Sequence, residues 1–557
     1  MSEIQHSLPL ARSRTEQIFP ILTSDQILRI ANHAITRAMQ PGEVLVELGD
    51  STVPLFLVIS GEIQIVRPSG ASETIVAIYG PGQFTGEVNM LSGRPAIHQI
   101  RVTEPGEVIV LERKQMLALV KSDAELSEIL MRAFILRRAE LVSAGMGNVV
   151  LIGSAPSAGT LRIKEFLMRT GQPYSYIDLE RDLDVQNLID SFHFAVGEIP
   201  VVICRGEIVL RNPSNQQLAE ALGFNESIDQ TDLRDLIIIG AGPSGLSAAV
   251  YGAADGLRVL VVESNSPGGQ AGSSSRIENY FGFPAGISGQ ELSDRGYNQA
   301  LKFGAQMLTT KATRLICDGT TYLVELENGA RIATRTVVIA SGAEYRRPQL
   351  ENLSRFEGAG VYYGATYVEA QCCDAEEVIV VGGGNSSGQA AVFLAQKAKR
   401  VHLLVRSEGL ADTMSSYLIR RIEESPSIIL RPTTEMVSLE GDHHLETVQW
   451  RNTTTGQTEK HSIRHLFVMI GAVPNTRWLD GCVALDAEGF IKTGADLTTE
   501  DLSAAHWPLT RPPYLLETSL PRVFAVGDVR SGSIKRVASA VGEGSIALSF
   551  IYHVLQE

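Results

Sequence analysis

Two glycine-rich turns, each set between an apolar run and a stretch of helical spacing, constrain this chain more than any other feature. The first, Gly240-Ala-Gly-Pro-Ser-Gly245, follows Leu236-Ile-Ile-Ile, and the second, Gly382-Gly-Gly-Asn-Ser-Ser387, follows Val378-Ile-Val-Val. Helical spacing continues over Leu246 to Ala254 and over Gly388 to Ala398. Buried strand, tight turn and helix in that order is the context in which such a loop holds a dinucleotide. Glycines let the backbone close on a pyrophosphate, and unpaired amides at the positive helix N-terminus receive its charge. Two bound nucleotides are the expectation.

The first loop has an acidic companion. After Arg258-Val-Leu-Val-Val-Glu-Ser, Glu263 lies about twenty residues on, where a carboxylate takes ribose hydroxyls. Gly240, Gly242, Pro243, Ser244, Gly245 and Glu263 are therefore the first candidate site. The strand after the second loop, Arg400-Val-His-Leu-Leu-Val-Arg-Ser, ends in Val405-Arg406 instead. An arginine suits a 2′-phosphate that a carboxylate would repel, so NADPH is expected over NADH. Gly382, Gly384, Asn385, Ser386, Ser387 and Arg406 form the second candidate site.

A chain of 557 residues exceeds what one core holds and predicts three to four domains of about 150 residues. With 44% hydrophobic residues and no low-complexity tract, disorder is excluded as the organising principle. The net charge of −15 argues against a general basic field for nucleic acid or an anionic membrane. No segment approaches eighteen uninterrupted apolar residues, so no membrane span and a cytoplasmic location are expected. Five cysteines without a CxxC pair argue against a disulfide framework and a zinc site.

Between Pro41 and Leu111, short β-branched runs alternate with glycine turns: Glu43-Val-Leu-Val-Glu, Leu55-Phe-Leu-Val-Ile-Ser-Gly, Glu62-Ile-Gln-Ile-Val, Thr74-Ile-Val-Ala-Ile-Tyr and Val108-Ile-Val-Leu. They predict a small β-roll, followed by one or two amphipathic helices over Lys114 to Val142. This stretch resembles the cyclic-nucleotide-binding domain, through Pro41-Gly-Glu, Leu55 to Glu62 and Phe84-Thr-Gly-Glu87. That family's phosphate cassette runs from a Gly-Glu pair to a Pro-Arg pair. Gly86 and Glu87 are present, but Pro95 is followed by Ala96, and Arg94 precedes the proline. The charge partner of a cyclic phosphate is displaced or lost, which favours a fold used for packing, dimer contact or another small ligand over cyclic-nucleotide binding.

The next segment reads as strand Asn148 to Ser154, helix Thr160 to Thr170, strand Tyr174 to Leu179, helix Val185 to Phe194, a hairpin from Gly197 to Leu210 and a closing helix Asn215 to Leu222. The order resembles a thioredoxin or glutaredoxin fold, with Ile199-Pro200 where that family has its cis-proline. The turn Ser154-Ala-Pro-Ser-Ala-Gly159 holds no cysteine, so disulfide exchange is not expected here. Cys204 is expected to be an inert core thiol, and the segment a structural or docking module.

From Asp235 onward the chain resembles the low-molecular-weight thioredoxin reductases. The resemblance rests on Gly240 to Gly245, Gly268-Gly-Gln-Ala, Ile277-Glu-Asn-Tyr-Phe-Gly-Phe-Pro, Val338-Ile-Ala-Ser-Gly-Ala, Val380 to Ser387, Ile470-Gly-Ala-Val-Pro-Asn-Thr and Val523-Phe-Ala-Val-Gly-Asp-Val. It implies a multidomain α/β protein in which a split FAD domain encloses an inserted NADPH domain, both doubly wound. The implied boundaries are 1–145 for the cyclic-nucleotide-binding-like domain and 146–225 for the thioredoxin-like domain. FAD binding would occupy 233–348 and 478–557, and NADPH binding 349–477. The first loop then belongs to FAD. By matching position Gly269, Gln270, Asn279 and Gly342 would also lie along it, Asp528 would hold its ribityl or pyrophosphate region, and Lys535, Arg536 and Val537 would face the isoalloxazine. Lysine and arginine replace the family's usual arginine and glutamine at the first two of these, which adds positive charge near the flavin and is expected to raise its potential. Homodimerisation is implied by the resemblance alone.

One departure bears on chemistry. Where the family places its CxxC pair, this chain reads Gly364-Ala-Thr-Tyr367. Cys372 and Cys373 follow, but an adjacent pair forms a strained ring and misses the geometry a flavin-facing disulfide requires. Packing is therefore the favoured role for both, and Tyr367 could shield the flavin. The second nucleotide domain keeps only Arg406 of the family's basic signature, with Arg420 or Arg421 as alternative cations. The expected activity is oxidation of NADPH at FAD, with electrons passed to a quinone, a ferredoxin or flavodoxin, dioxygen or a small disulfide. The alternatives are a redox or ligand sensor with little turnover, and a thioredoxin reductase working through Cys372 and Cys373.

Overall fold

The computed structural model describes residues 15–69, 72–87, 89–144, 147–154, 157–179, 199–205, 208–225, 231–318, 321–479 and 481–557. Alternating apolar residues make an antiparallel sheet at the N-terminal end, ordered Ile35–Met39, Gln99–Leu111, Leu55–Ser69, Ser72–Tyr79, with Val44–Val46 pairing on Gln99–Leu111. Gly61 does not end a strand as expected. Leu55–Ser69 runs through it, because register shifts between Ser60 and Ile63 absorb the extra residue as a bulge. Two helices follow, Arg113–Ser122 and Ala124–Ser143, the second capped by the Asp123 carboxylate on the Leu126 amide at 3.0 Å.

The middle module is a mixed sheet ordered Ser175–Asp178, Val149–Gly153, Val201–Cys204, Ile208–Arg211, with helices Ala158–Arg169 and Asn215–Ala221. The Ile199–Pro200 bond is cis, and Cys204 is fully buried with its thiol pushed up by burial to about 11. The helix expected over Val185 to Phe194 lies outside the described residues.

Two sheets carry the glycine loops, the first with a parallel half and an antiparallel half and the second parallel throughout. The first is ordered Gln306–Thr309, Val259–Glu263, Arg234–Ile239, Arg331–Ile339, Thr321–Leu326, Ala312–Asp318, with the late strand Val523–Ala525 added beside Arg331–Ile339. The second is ordered Val361–Tyr362, His465–Val468, Glu377–Val381, Arg400–Leu404, Ile428–Arg431, all parallel. Continuous burial of Leu236 to Ile238 and of Val378 to Val380 is what strands covered on both faces require. The chain passes between the two sheets twice, and the two passages, Ala343–Tyr345 and Ala472–Pro474, pair antiparallel.

The C-terminal helix Val537–Gln556 is long and apolar enough to cross a membrane by length and composition. One face is buried, with Ala540, Gly544, Ala547, Leu548 and Ile551 inside. It packs against helix Pro243–Ala254 so closely that a Cβ on Gly544 would stand 2.2 Å from the Ser244 carbonyl oxygen.

Candidate functional site

The first loop is shaped by contacts that only glycine permits. Gly240 takes φ +108°, and a Cβ there would lie 2.3 Å from the Ala340 carbonyl oxygen. A Cβ on Gly245 would lie 1.9 Å from the Gly240 carbonyl oxygen. Helix Pro243–Ala254 therefore starts three residues earlier than its periodicity predicts, with Pro243 in its first turn and no side chain capping it. Its first amides stay open toward the mouth of the turn, as an anion cradle needs. Ser244 and Gly245 are buried beneath it.

Glu263 ends the next strand as predicted. Its carboxylate accepts from the Ala241 amide at 2.7 Å and the Asn265 amide at 2.8 Å, so one side chain ties the loop to the strand end. Burial pushes its carboxyl above the usual range. Gly269 closes the other wall, where its Cβ position is 3.0 Å from Gly242 Cα, and Gln270 Nε2 donates to the Ala343 carbonyl. These residues fit a dinucleotide: a helix start without a side-chain cap, a carboxylate at the end of the adjacent strand, and glycine at both walls.

Farther along, the Gly342 carbonyl accepts from the Asn475 amide at 3.0 Å. Asp528 is half-buried, and its carboxyl is raised by burial against the opposing charge of Lys535. Lys535 Nζ donates to the Asp528 carbonyl at 2.6 Å, Arg536 is the N-cap and Val537 opens the C-terminal helix without a side-chain cap. Asn279 stands exposed in the loop between Ile277 and Ile287, and among the described residues nothing ties it to this cradle.

The second loop repeats the first. Gly382 takes φ +137° against the Met469 carbonyl oxygen, 2.2 Å from its Cβ position, and Gly384 precedes helix Asn385–Leu394, which again has no side-chain cap. Asn385 accepts from the Ser415 amide at 2.8 Å, Ser387 Oγ donates to the Gly384 carbonyl at 2.7 Å, and Ser386 is exposed at the helix start. Arg406 is exposed at the end of the neighbouring strand, without an ion pair among the described residues. Arg421 is engaged elsewhere: it pairs with Glu278 at 2.6 Å, across to the other nucleotide unit, which removes it from the alternatives to Arg406.

No disulfide joins any of the five cysteines. Cys373 is fully buried, its thiol donates to the Glu369 carbonyl at 3.3 Å, and burial drives its ionisation far up. Burial raises Cys372 too, opposed by Lys164 of the middle module. Helix Ala158–Arg169 lies over this place: Leu161 and Met168 pack in one cluster with Ala365, Ala370 and Cys373, and a Cβ on Gly358 would come 2.4 Å from that of Ala158. The position of the Tyr367 side chain lies outside what the structure describes.

The cassette residues of the N-terminal unit are engaged within the protein, Arg94 across to other units and Glu87 inside its own. Arg94 is 6% exposed, donates to the Thr170 carbonyl and to the Tyr297 hydroxyl, each at 3.1 Å, and stacks over Phe224 at 3.8 Å. Glu87 pairs with Arg138 at 3.3 Å. Asp294, near both arginines and accepting from Gln290 at 2.8 Å, is raised by burial to about 7. A carboxyl raised above its unfolded value makes the folded state bind the extra proton, so stability falls as pH rises from about 4 toward 7. Asp294→Asn is expected to flatten that fall, read as thermal midpoints across pH 5 to 8, and to stabilise the protein at pH 8.

Residues 234–544, more than half of the chain, match the family model described as pyridine nucleotide-disulphide oxidoreductase. The chain belongs to that family. Residues 36–123 of this oxidoreductase match the cyclic nucleotide-binding domain. It is 30% identical over 330 residues to the thioredoxin reductase of Bacillus subtilis (strain 168), covering 59% of this chain and 97% of that one. With the thioredoxin reductase of Mycolicibacterium smegmatis it shares 32% over 326 residues, 58% of this chain and 96% of the other. Among solved structures it is similar to Lactococcus lactis thioredoxin reductase in its FR conformation, at 26% identity and TM-score 0.52, over 58% of this oxidoreductase and all of that chain. It is thus an NAD(P)H-dependent flavin oxidoreductase of thioredoxin reductase type, whose cofactors are FAD and NADPH.

Proposed function

We propose that this oxidoreductase takes hydride from NADPH and passes the electrons to an acceptor that meets the flavin directly, without a protein dithiol and without thioredoxin. FAD supplies the two-electron chemistry when bound, and the protein supplies placement and charge. The observation that carries the reading is the segment Gly364 to Tyr367, which has no cysteine and lies beside a helix of the middle module. A thiolate is the species that exchanges with a disulfide, and Cys373 is buried and held neutral. Quinones, ferredoxin or flavodoxin, dioxygen and small disulfides are acceptors of the required kind.

Anaerobic titration tests it. One NADPH per FAD is expected to bleach the flavin completely, and Cys372→Ser with Cys373→Ser is expected to leave both that stoichiometry and turnover with a panel of those acceptors unchanged. Two equivalents in the wild type falling to one in the double variant would establish a working dithiol and remove the proposal. Complete reduction without turnover on any acceptor would favour the sensor reading instead.

A further inference from the structure

Helix Ala158–Arg169 of the middle module ends with a guanidinium set into the wall of the first nucleotide cradle. Arg169 is 11% exposed, although the cradle belongs to another sheet. Nη1 donates to the Gly269 carbonyl at 3.1 Å, and Nη2 pairs with Glu165 one turn back at 2.7 Å. The main chain is anchored too, since the Arg169 carbonyl accepts from Gln290 Nε2 at 3.3 Å. Gly269 in turn abuts Gly242, the residue that opens helix Pro243–Ala254. The cation therefore stands behind the mouth into which that helix directs its uncapped amides.

The cradle needs such a group. Neither Gly240 to Gly245 nor Glu263 to Gly272 contains a lysine or arginine. A helix N-terminus offers only about half a positive charge, whereas a dinucleotide diphosphate carries about two negative ones. Arg169 lies within electrostatic reach of Glu263 and of Tyr345. The Gly269 carbonyl takes one N–H of Nη1 and Glu165 one of Nη2, which leaves Nε and the second N–H of each terminal nitrogen without a partner among the described residues.

We propose that Arg169 is a ligand of the diphosphate of bound FAD, so that the middle module, which lacks redox cysteines, completes the flavin site. The proposal rests on the assignment of this cradle to FAD. Such a guanidinium makes charge-assisted hydrogen bonds in a fixed fork.

The test is FAD binding to the full-length apoprotein, followed by quenching of flavin fluorescence, with thermal melting of the apo and FAD-bound forms. Arg169→Gln keeps a donor for the Gly269 carbonyl and loses the charge. Its Kd for FAD is expected to rise about 10- to 100-fold, with a shallower dependence on salt, and Arg169→Lys to recover most of the loss. The apo forms of wild type and Arg169→Gln are expected to melt together. A Kd within twofold of wild type overturns the proposal. So does a lower apo midpoint with an unchanged FAD-induced shift, which would make Arg169 a docking residue only. Failure of the wild type itself to bind FAD is a different result, and it would remove the cradle assignment instead.

Discussion

Gly242→Ala is expected to give a folded protein that has lost its yellow colour. The backbone at Gly242, φ −71° and ψ −178°, is one that any residue adopts, and a Cβ there would meet only Gly269 Cα at 3.9 Å, an ordinary contact. Among the described residues nothing resists the methyl group. What it occupies is the approach to the open amides of helix Pro243–Ala254, where a diphosphate must come within hydrogen-bond distance of the backbone. Losing two charge-assisted hydrogen bonds costs about 3–5 kcal/mol, or at least a hundredfold in affinity. The flavin absorbance of the purified protein and the Kd of its apo form for FAD measure the loss, and the apo melting temperature should stay with wild type. Gly245→Ala makes the contrast: its Cβ would overlap the Gly240 carbonyl oxygen at 1.9 Å, so the loop itself must deform and the apo form should melt lower. A Gly242→Ala protein that keeps FAD at wild-type affinity would place the diphosphate elsewhere.

The two glycine loops are legible because strand, turn, helix and the residue ending the next strand lie within thirty residues of one another. Glu263 and Arg406 stand where that local logic places them. Periodicity places the helix starts late, since it begins only after the first uncapped turn. The strand through Gly61 looks like two in the sequence for a similar reason, because a glycine reads as a turn until the partner strand shows the bulge.

What the sequence withheld are the side chains that work across units. Arg169 meets Gly269 a hundred residues on, and Arg94 meets Tyr297 at twice that separation. No spacing rule reaches so far. Arg94 still gave a signal, since an arginine on the wrong side of Pro95 is displaced from a phosphate. Its destination, between Thr170, Phe224 and Tyr297, required the fold. Arg421 and Arg420 look alike in sequence, and only the pair with Glu278 separates them.

With Arg421 engaged, Arg406 at the strand end is the group expected to set nucleotide preference, and Arg420 is the control. It follows the strand Arg400–Leu404, and its neighbours Val405 and Ser407 each come 3.9 Å from the Cβ position of Gly383 in the second loop. The mouth of that loop is further fixed by Thr413, whose Oγ1 donates to the Gly383 carbonyl at 2.7 Å, and by Asn385 on the Ser415 amide. A nucleotide with its diphosphate on helix Asn385–Leu394 would bring its adenosine ribose to the strand end, the position that Glu263 holds in the first unit. A 2′-phosphate there would meet an exposed guanidinium that, among the described residues, pairs with no acidic side chain. Arg406→Gln is expected to raise KM for NADPH about 10- to 100-fold and leave KM for NADH and kcat nearly unchanged, because the interaction is made equally in ground and transition states. Arg420→Gln, an exposed change on the following helix, is expected to do neither. The wild-type preference should shrink with added salt, since both charges are solvent-accessible before they meet. Equal losses for the two nucleotides in Arg406→Gln would mean that the residue shapes the loop and does not read the phosphate.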